Sequence, residues 1–179
     1  MLVKTFLAKL DIGVRSPRWR LRTAVGGSYG FTLIEAMVVV ALVAILSAVA
    51  APSFRSFIGT MNAKSAAFDL IGDLTVARSE AIKLNQNATV MPVGGNWAQG
   101  WAVSASGATV RTRPALSSSL SISGLGSDAG VTFGPNGRLA NDTATANLTW
   151  SISSATSGVT ARCVVISPTG SARSKSGTC

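Results

Sequence analysis

The chain has no histidine in 179 residues, two cysteines, and only seven acidic residues against sixteen basic ones. Each scarcity removes a class of chemistry. Without histidine the usual general base is missing, and two cysteines alone make a poor zinc site. No Cys–His pair exists and the acids do not cluster outside one helical stretch, so no nucleophile–base constellation stands out. Serines are many, yet no spacing selects a Ser–Lys dyad. Gly124-Leu125-Gly126 with Gly130 does not fit the spacing of a dinucleotide-binding loop. No enzymatic activity, cofactor or metal is expected, and neither a repeat nor a second domain is visible.

What the chain has in excess is an apolar run. Phe31 to Ala51 is 21 residues long, and a helix rising about 1.5 Å per residue makes that close to the ~30 Å hydrocarbon core of a bilayer. The only ionisable side chain in it is Glu35. A carboxylate in a spanning helix costs a few kcal/mol unless it neutralises or finds a partner, so its presence suggests a use. Residues 1–30 carry six basic side chains and one acid, a net charge of +5. Positive flanks stay cytoplasmic, which places everything after Ala51 outside. The remaining ten basic and six acidic residues leave +4, a mild bias toward anionic partners and no nucleic-acid signature by itself.

Beyond the span the helix is expected to continue to Leu84. Pro52 lacks a backbone donor and should kink it, while Phe57, Met61, Phe68, Ile71, Leu74 and Ala81 recur at roughly helical spacing and predict the packed face. Asp69 and Asp73, four apart, read most simply as a solvated face. From Asn85 the pattern changes to short β-type runs between Gly, Ser, Asn and Pro: Ala88–Val93, Gly100–Ser104, Thr109–Arg113, Leu120–Ile122, Val131–Phe133, Leu148–Ile152 and Val159–Ile166. The expected fold class is α+β, a long N-terminal helix whose second half packs on an antiparallel β-rich head. Ser117 to Gly130 reads as a flexible connection. Of Trp97, Trp101 and Trp150, at least two are expected in the core and not in a ligand platform. Cys163 and Cys179 lie on the outward side, where an oxidising compartment favours a disulfide; free thiols or a metal pair are the alternatives.

Gly30-Phe31-Thr32-Leu33-Ile34-Glu35, behind a basic leader and ahead of the apolar helix, resembles the type III signal of type IV pilins and pseudopilins. The resemblance implies cleavage between Gly30 and Phe31 by a prepilin peptidase, N-methylation of Phe31, and pairing of Glu35 with the amino terminus of a neighbouring subunit. It also implies a single-pass protein of the bacterial inner membrane with its head in the periplasm. Its partners would be other pilins or pseudopilins, met through the N-terminal helix. The implied divisions are a leader at 1–30, a transmembrane helix at 31–51, an amphipathic helix at 52–84 and a head at 85–179. Two other readings use the same residues. An ordinary signal peptide would be cut after Ala48-Val49-Ala50, though the run is long for one and holds Glu35; a plain anchor would leave Glu35 at the headgroups.

Ala77-Arg78-Ser79-Glu80-Ala81-Ile82-Lys83, Asn85 and Trp97-Ala98-Gln99-Gly100-Trp101 add a resemblance to the FimT/GspH family of minor pilins and pseudopilins. The cysteine this family usually carries after the helix is absent, with Met91 and Pro92 in that stretch. Some FimT-like minor pilins are implicated in DNA uptake through a basic Gly-Arg-x-Arg element. Here Ser171 stands where the first arginine would be and Arg173 matches the second. The resemblance makes Arg162, Arg173 and Lys175 candidates for DNA binding, against a solvated hairpin. So few cations make few phosphate contacts, hence weak and salt-sensitive binding.

Overall fold

A computed structural model describes residues 30–125, 130–140 and 146–179; the leader at 1–29 lies outside them. The chain divides into two units, residues 1–40 and 41–179. One helix, α1 (Leu33–Leu84), begins in the first and continues in the second, running on through Pro52. By length and composition it can cross a membrane. Thr32 caps its start, its Oγ1 accepting the Glu35 amide at 3.2 Å, as Ser or Thr does where the first amides lack helical partners. Its end is equally defined. Asn85 adopts the left-handed conformation at φ 52°, Asn85 N–H donates to the Ile82 carbonyl and Gln86 N–H to that of Ala81, the paired bonds of a Schellman cap.

The expected antiparallel β-rich head consists of two four-stranded antiparallel sheets. The first has the order β3-β2-β1-β5, built from β1 (Ala88–Pro92), β2 (Trp101–Ala105), β3 (Ala108–Arg113) and β5 (Val131–Phe133). The second has the order β4-β6-β7-β8, from β4 (Leu120–Leu125), β6 (Leu148–Ser154), β7 (Arg162–Ile166) and β8 (Ala172–Ser176). Ser106 and Gly107, both at positive φ, close the β2–β3 hairpin, the turn whose twist matches its strands. Three sequence expectations are corrected. The strand expected at Leu120–Ile122, in a stretch otherwise read as a connection, extends to Leu125 as β4. The last expected strand begins at Arg162, because Val159 and Thr160 belong to the β6–β7 loop. β8 was not foreseen, since Ala-Arg-Ser-Lys-Ser has almost no apolar alternation; pairing to β7 makes it a strand.

The core draws on α1 and both sheets. Trp97, Trp101 and Trp150 are all buried. Trp97 lies 6.1 Å from Trp101 of the first sheet and 5.4 Å, edge-on, from Trp150 of the second. Such pairs add about 0.5–1.5 kcal/mol each beyond the area they bury.

The packed face of α1 is not the one its large residues suggested. Gly59, Ala63, Ala66, Ala67, Leu70, Leu74, Ala77 and Ala81 are buried, whereas Phe57, Met61 and Phe68 are exposed. Of the six residues expected inside, Leu74 and Ala81 are buried and Ile71 is partly buried against the core. Small residues let the helix axis approach the sheets and the β6–β7 loop. A Cβ built on Gly59 would come 2.5 Å from Val159 Cγ2, and Thr60 Oγ1 accepts the Thr160 amide at 3.2 Å.

Candidate functional site

The residues singled out by sequence fall into three places. At the start of α1, Gly30 and Phe31 precede the Thr32 cap, and Glu35 occupies the first helical turn. A carboxylate there is favoured by the partial positive charge of the helix N-terminus. Phe31 is 79% exposed.

The second place was misread. Asp73 is fully buried, not solvated. Its Oδ1 accepts from Arg111 Nη1 at 3.0 Å, and its Oδ2 accepts from Arg113 Nε at 2.7 Å and Trp101 Nε1 at 2.9 Å. Asp69, one turn earlier and partly exposed, bonds Arg113 Nη2 at 3.2 Å. A buried carboxylate is tolerable when its lone pairs are filled by charged donors. The Asp73 hydrogen bond raises the Arg113 guanidinium above its ordinary value, against an opposing effect of burial, with the Asp73 and Asp69 charges adding to the rise. The cluster clamps the helix to the β2–β3 hairpin. A signal for it exists in the sequence: Arg111 and Arg113 alternate on one strand face, and Asp69 and Asp73 stand one turn apart on the helix to match them.

The third place is the C-terminal sheet edge. Cys163 of β7 and Cys179 form a disulfide with a Cα–Cα distance of 5.1 Å, as expected. The Gly177 amide bonds the Ala161 carbonyl at 2.8 Å, so the tail returns along β7. The three candidate cations are not brought together. Arg173 pairs with Val165 and Lys175 with Cys163 across β7–β8, on one face of the sheet. Arg162 pairs with Ser176 on the opposite face and donates to its Oγ at 3.0 Å. Arg173 and Lys175 make no ion pair among the described residues. Cations on an edge strand also have a protective role, discouraging pairing with another chain.

Comparison with known proteins now bears on these places. A model of the family described as type II transport protein GspH matches residues 66–170, which is most of the head and more than half of the chain. The chain belongs to the GspH family. A prokaryotic N-terminal methylation motif matches residues 27–51 of this GspH-family chain. No curated protein matches it. Among solved structures it is similar to the type IV minor pilin FimU of Pseudomonas aeruginosa strain PAO1 in two crystal forms. In space group P21 the identity is 26%, over 63% of this chain and 87% of FimU, with a TM-score of 0.53. In P65 the identity is again 26%, over 63% and 91%, with a TM-score of 0.51. The minor pseudopilin EpsH of the Vibrio cholerae type 2 secretion system matches at 18% identity over 64% and 97%, with a TM-score of 0.48. The GspH-family chain is thus a pilin-like protein of the minor pilin and pseudopilin group, a group of structural subunits.

Proposed function

We propose that this GspH-family protein is a structural subunit that joins a type IV pilus or a type II secretion pseudopilus and takes part in its assembly or priming. One observation carries the proposal: apolar exposure on α1 does not stop where a bilayer span would. About 20 residues suffice to cross the hydrocarbon core, yet Phe54, Phe57, Ile58, Met61 and Phe68 are 41–63% exposed well past Ala51. Lipid accounts for the first stretch, and a contiguous exposed apolar face on a water-facing helix marks a protein contact. The proposed sequence of events starts with removal of residues 1–30 and methylation of Phe31. The head, 85–179, then stands in the periplasm with 31–51 in the inner membrane and 52–84 between them. Glu35, costly in lipid, recovers its lost hydration by pairing with a neighbour's amino terminus. The test is the N-terminus of the protein purified from its host's membranes, by intact mass and terminal sequencing. N-methylated Phe31 is expected; Ala51 as first residue would instead mean a secreted product and end the proposal.

A second reading, retention of DNA for uptake, is favoured only by Arg173 and Lys175 sharing one exposed face. Two cations predict a shallow salt dependence. Replacing both with glutamine should abolish DNA retention while leaving assembly intact; unchanged retention would dismiss this reading.

A further inference from the structure

A cleft of about 270 Å³ opens between α1 and the segment joining β3 to β4. Asn62, Ser65 and Asp69 form its helix wall, at the three- and four-residue spacing that puts them on one side. Half-buried Leu116 contributes apolar surface, buried Leu120 and Trp101 close the floor, and Arg113, paired with Asp69, lines the cleft beside it. Neither Asn62 nor Ser65 engages its side chain in a hydrogen bond among the described residues. Its size is below that of ordinary small-molecule pockets, which start at roughly 300 Å³, and suits one long side chain.

Charge decides which side chain. Among the described residues from 41 onward there are three carboxylates. Asp73 is saturated by Arg111, Arg113 and Trp101, and Glu80 is held by Lys83 through both oxygens. Asp69 spends only Oδ1, on Arg113, and is 40% exposed. Among the described residues from 41 onward it is therefore the one carboxylate side chain with an unengaged oxygen. Of ten basic residues after position 40, Lys83, Arg111 and Arg113 alone have an acidic partner among the described residues.

We infer that the cleft is a socket for a lysine or arginine side chain from the head of an adjacent pilin-type subunit. The stem passes Asn62 and lies on Leu116, and the charged end reaches Asp69 Oδ2 beside Ser65, the oxygen that Arg113 leaves free, the division of labour that long basic side chains favour. Continuity supports this occupant, because the cleft wall Asn62–Asp69 alternates with Met61 and Phe68 of the exposed apolar face. A neighbour seated on that face passes the mouth of the cleft. The contact joins different patches on the two subunits, the kind that propagates a filament and does not close a dimer. The inference rests on the assembly reading above.

The test uses the full-length chain in its own host, with a photoreactive amino acid at Asn62 on the cleft rim or, separately, at Phe57 on the apolar face. The Asn62 probe should cross-link to another pilin-type subunit, with mass spectrometry placing the adduct beside a lysine or arginine of its head. Asp69→Asn should lower that yield about ten-fold, the scale of a charged hydrogen bond, and leave the Phe57 adduct unchanged. Ser65→Trp fills the cleft from an exposed position while leaving the Asp69 carboxylate and its charge in place, and should give the same loss. If the Phe57 adduct forms while the Asn62 probe gives none, gives a lipid adduct, or ignores both substitutions, the socket is refuted and assembly stands. Absence of both adducts refutes assembly and the socket with it.

Discussion

The two faces of α1 between Phe57 and Ala81 differ in the opposite sense from the usual amphipathic helix. The inner face is made of Gly59, Ala63, Ala66, Ala67, Ala77 and Ala81 around Leu70 and Leu74, while the outer face carries Phe57, Ile58, Met61 and Phe68. Side-chain size is sorted by the distance each contact allows. The inner face meets sheets that already supply Trp97, Trp101, Trp150 and Phe133, so alanine is what fits between. The outer face has no such filling from its own chain and keeps bulky apolar groups for another. Binary hydrophobicity cannot separate these faces, because both are apolar; volume does.

The comparison breaks most severely at Asp73, the one polar member of the inner face. Asp73→Leu leaves Trp101 Nε1 without its acceptor and Arg111 without its acidic partner, and leaves Arg113 only Asp69. Loss of one side of a buried pair is expected to cost about 3 kcal/mol, somewhat less than for fully buried cations because Arg111 and Arg113 reach solvent. Denaturant unfolding of the detergent-solubilised protein measures it. Ala67→Phe tests the size rule directly: the wild-type residue is 1% exposed, and overpacking at such a site costs about 1–3 kcal/mol, seen as a lower unfolding midpoint. Arg113→Lys keeps the charge but loses the fork that serves Asp69 and Asp73 together, for a loss of about 1 kcal/mol in the same assay.

The outer face sharpens the contrast from the other side. Phe57→Ser with Met61→Ser should change stability by no more than about 0.5 kcal/mol and yet remove the protein from sheared filaments or secretion complexes. A stability loss as large as that of Ala67→Phe would show that the outer face serves the head itself. The smallest effect concerns pH. A raised cation contributes stability that is fully present below its unfolded value, which is already strongly alkaline, and lost only as pH climbs through the still higher folded value. Arg113 therefore gives no pH dependence between neutrality and mild alkali, and a slope in that range in wild type that disappears in Arg113→Lys would contradict the cluster geometry.

Much of the architecture was legible because it rests on local rules. The α1 boundaries follow from a Thr cap, an apolar run and Asn85, and seven of the eight strands from alternation and turns. β8 was not legible, since its apolar partners lie on β7. Asp69 and Asp73 misled because spacing four apart describes two solvated acids and a clamp equally well. Only the arrival of Arg111 and Arg113 from a strand 38 and 40 residues away from Asp73 decides between them. Arg162 was grouped with Arg173 and Lys175 by sequence proximity, but strand pleating sends it to the other side of the sheet.

By itself the sequence determined the apolar helix, the N-terminal methylation motif at its start, and the α+β class, because each depends on short-range composition and period. Only the tertiary structure decided which side of α1 is inside, where Asp73 finds its charge partners, and that Asp69 is left with an oxygen to offer. Those depend on which elements meet, and a one-dimensional pattern carries no record of volume or charge on the opposing surface.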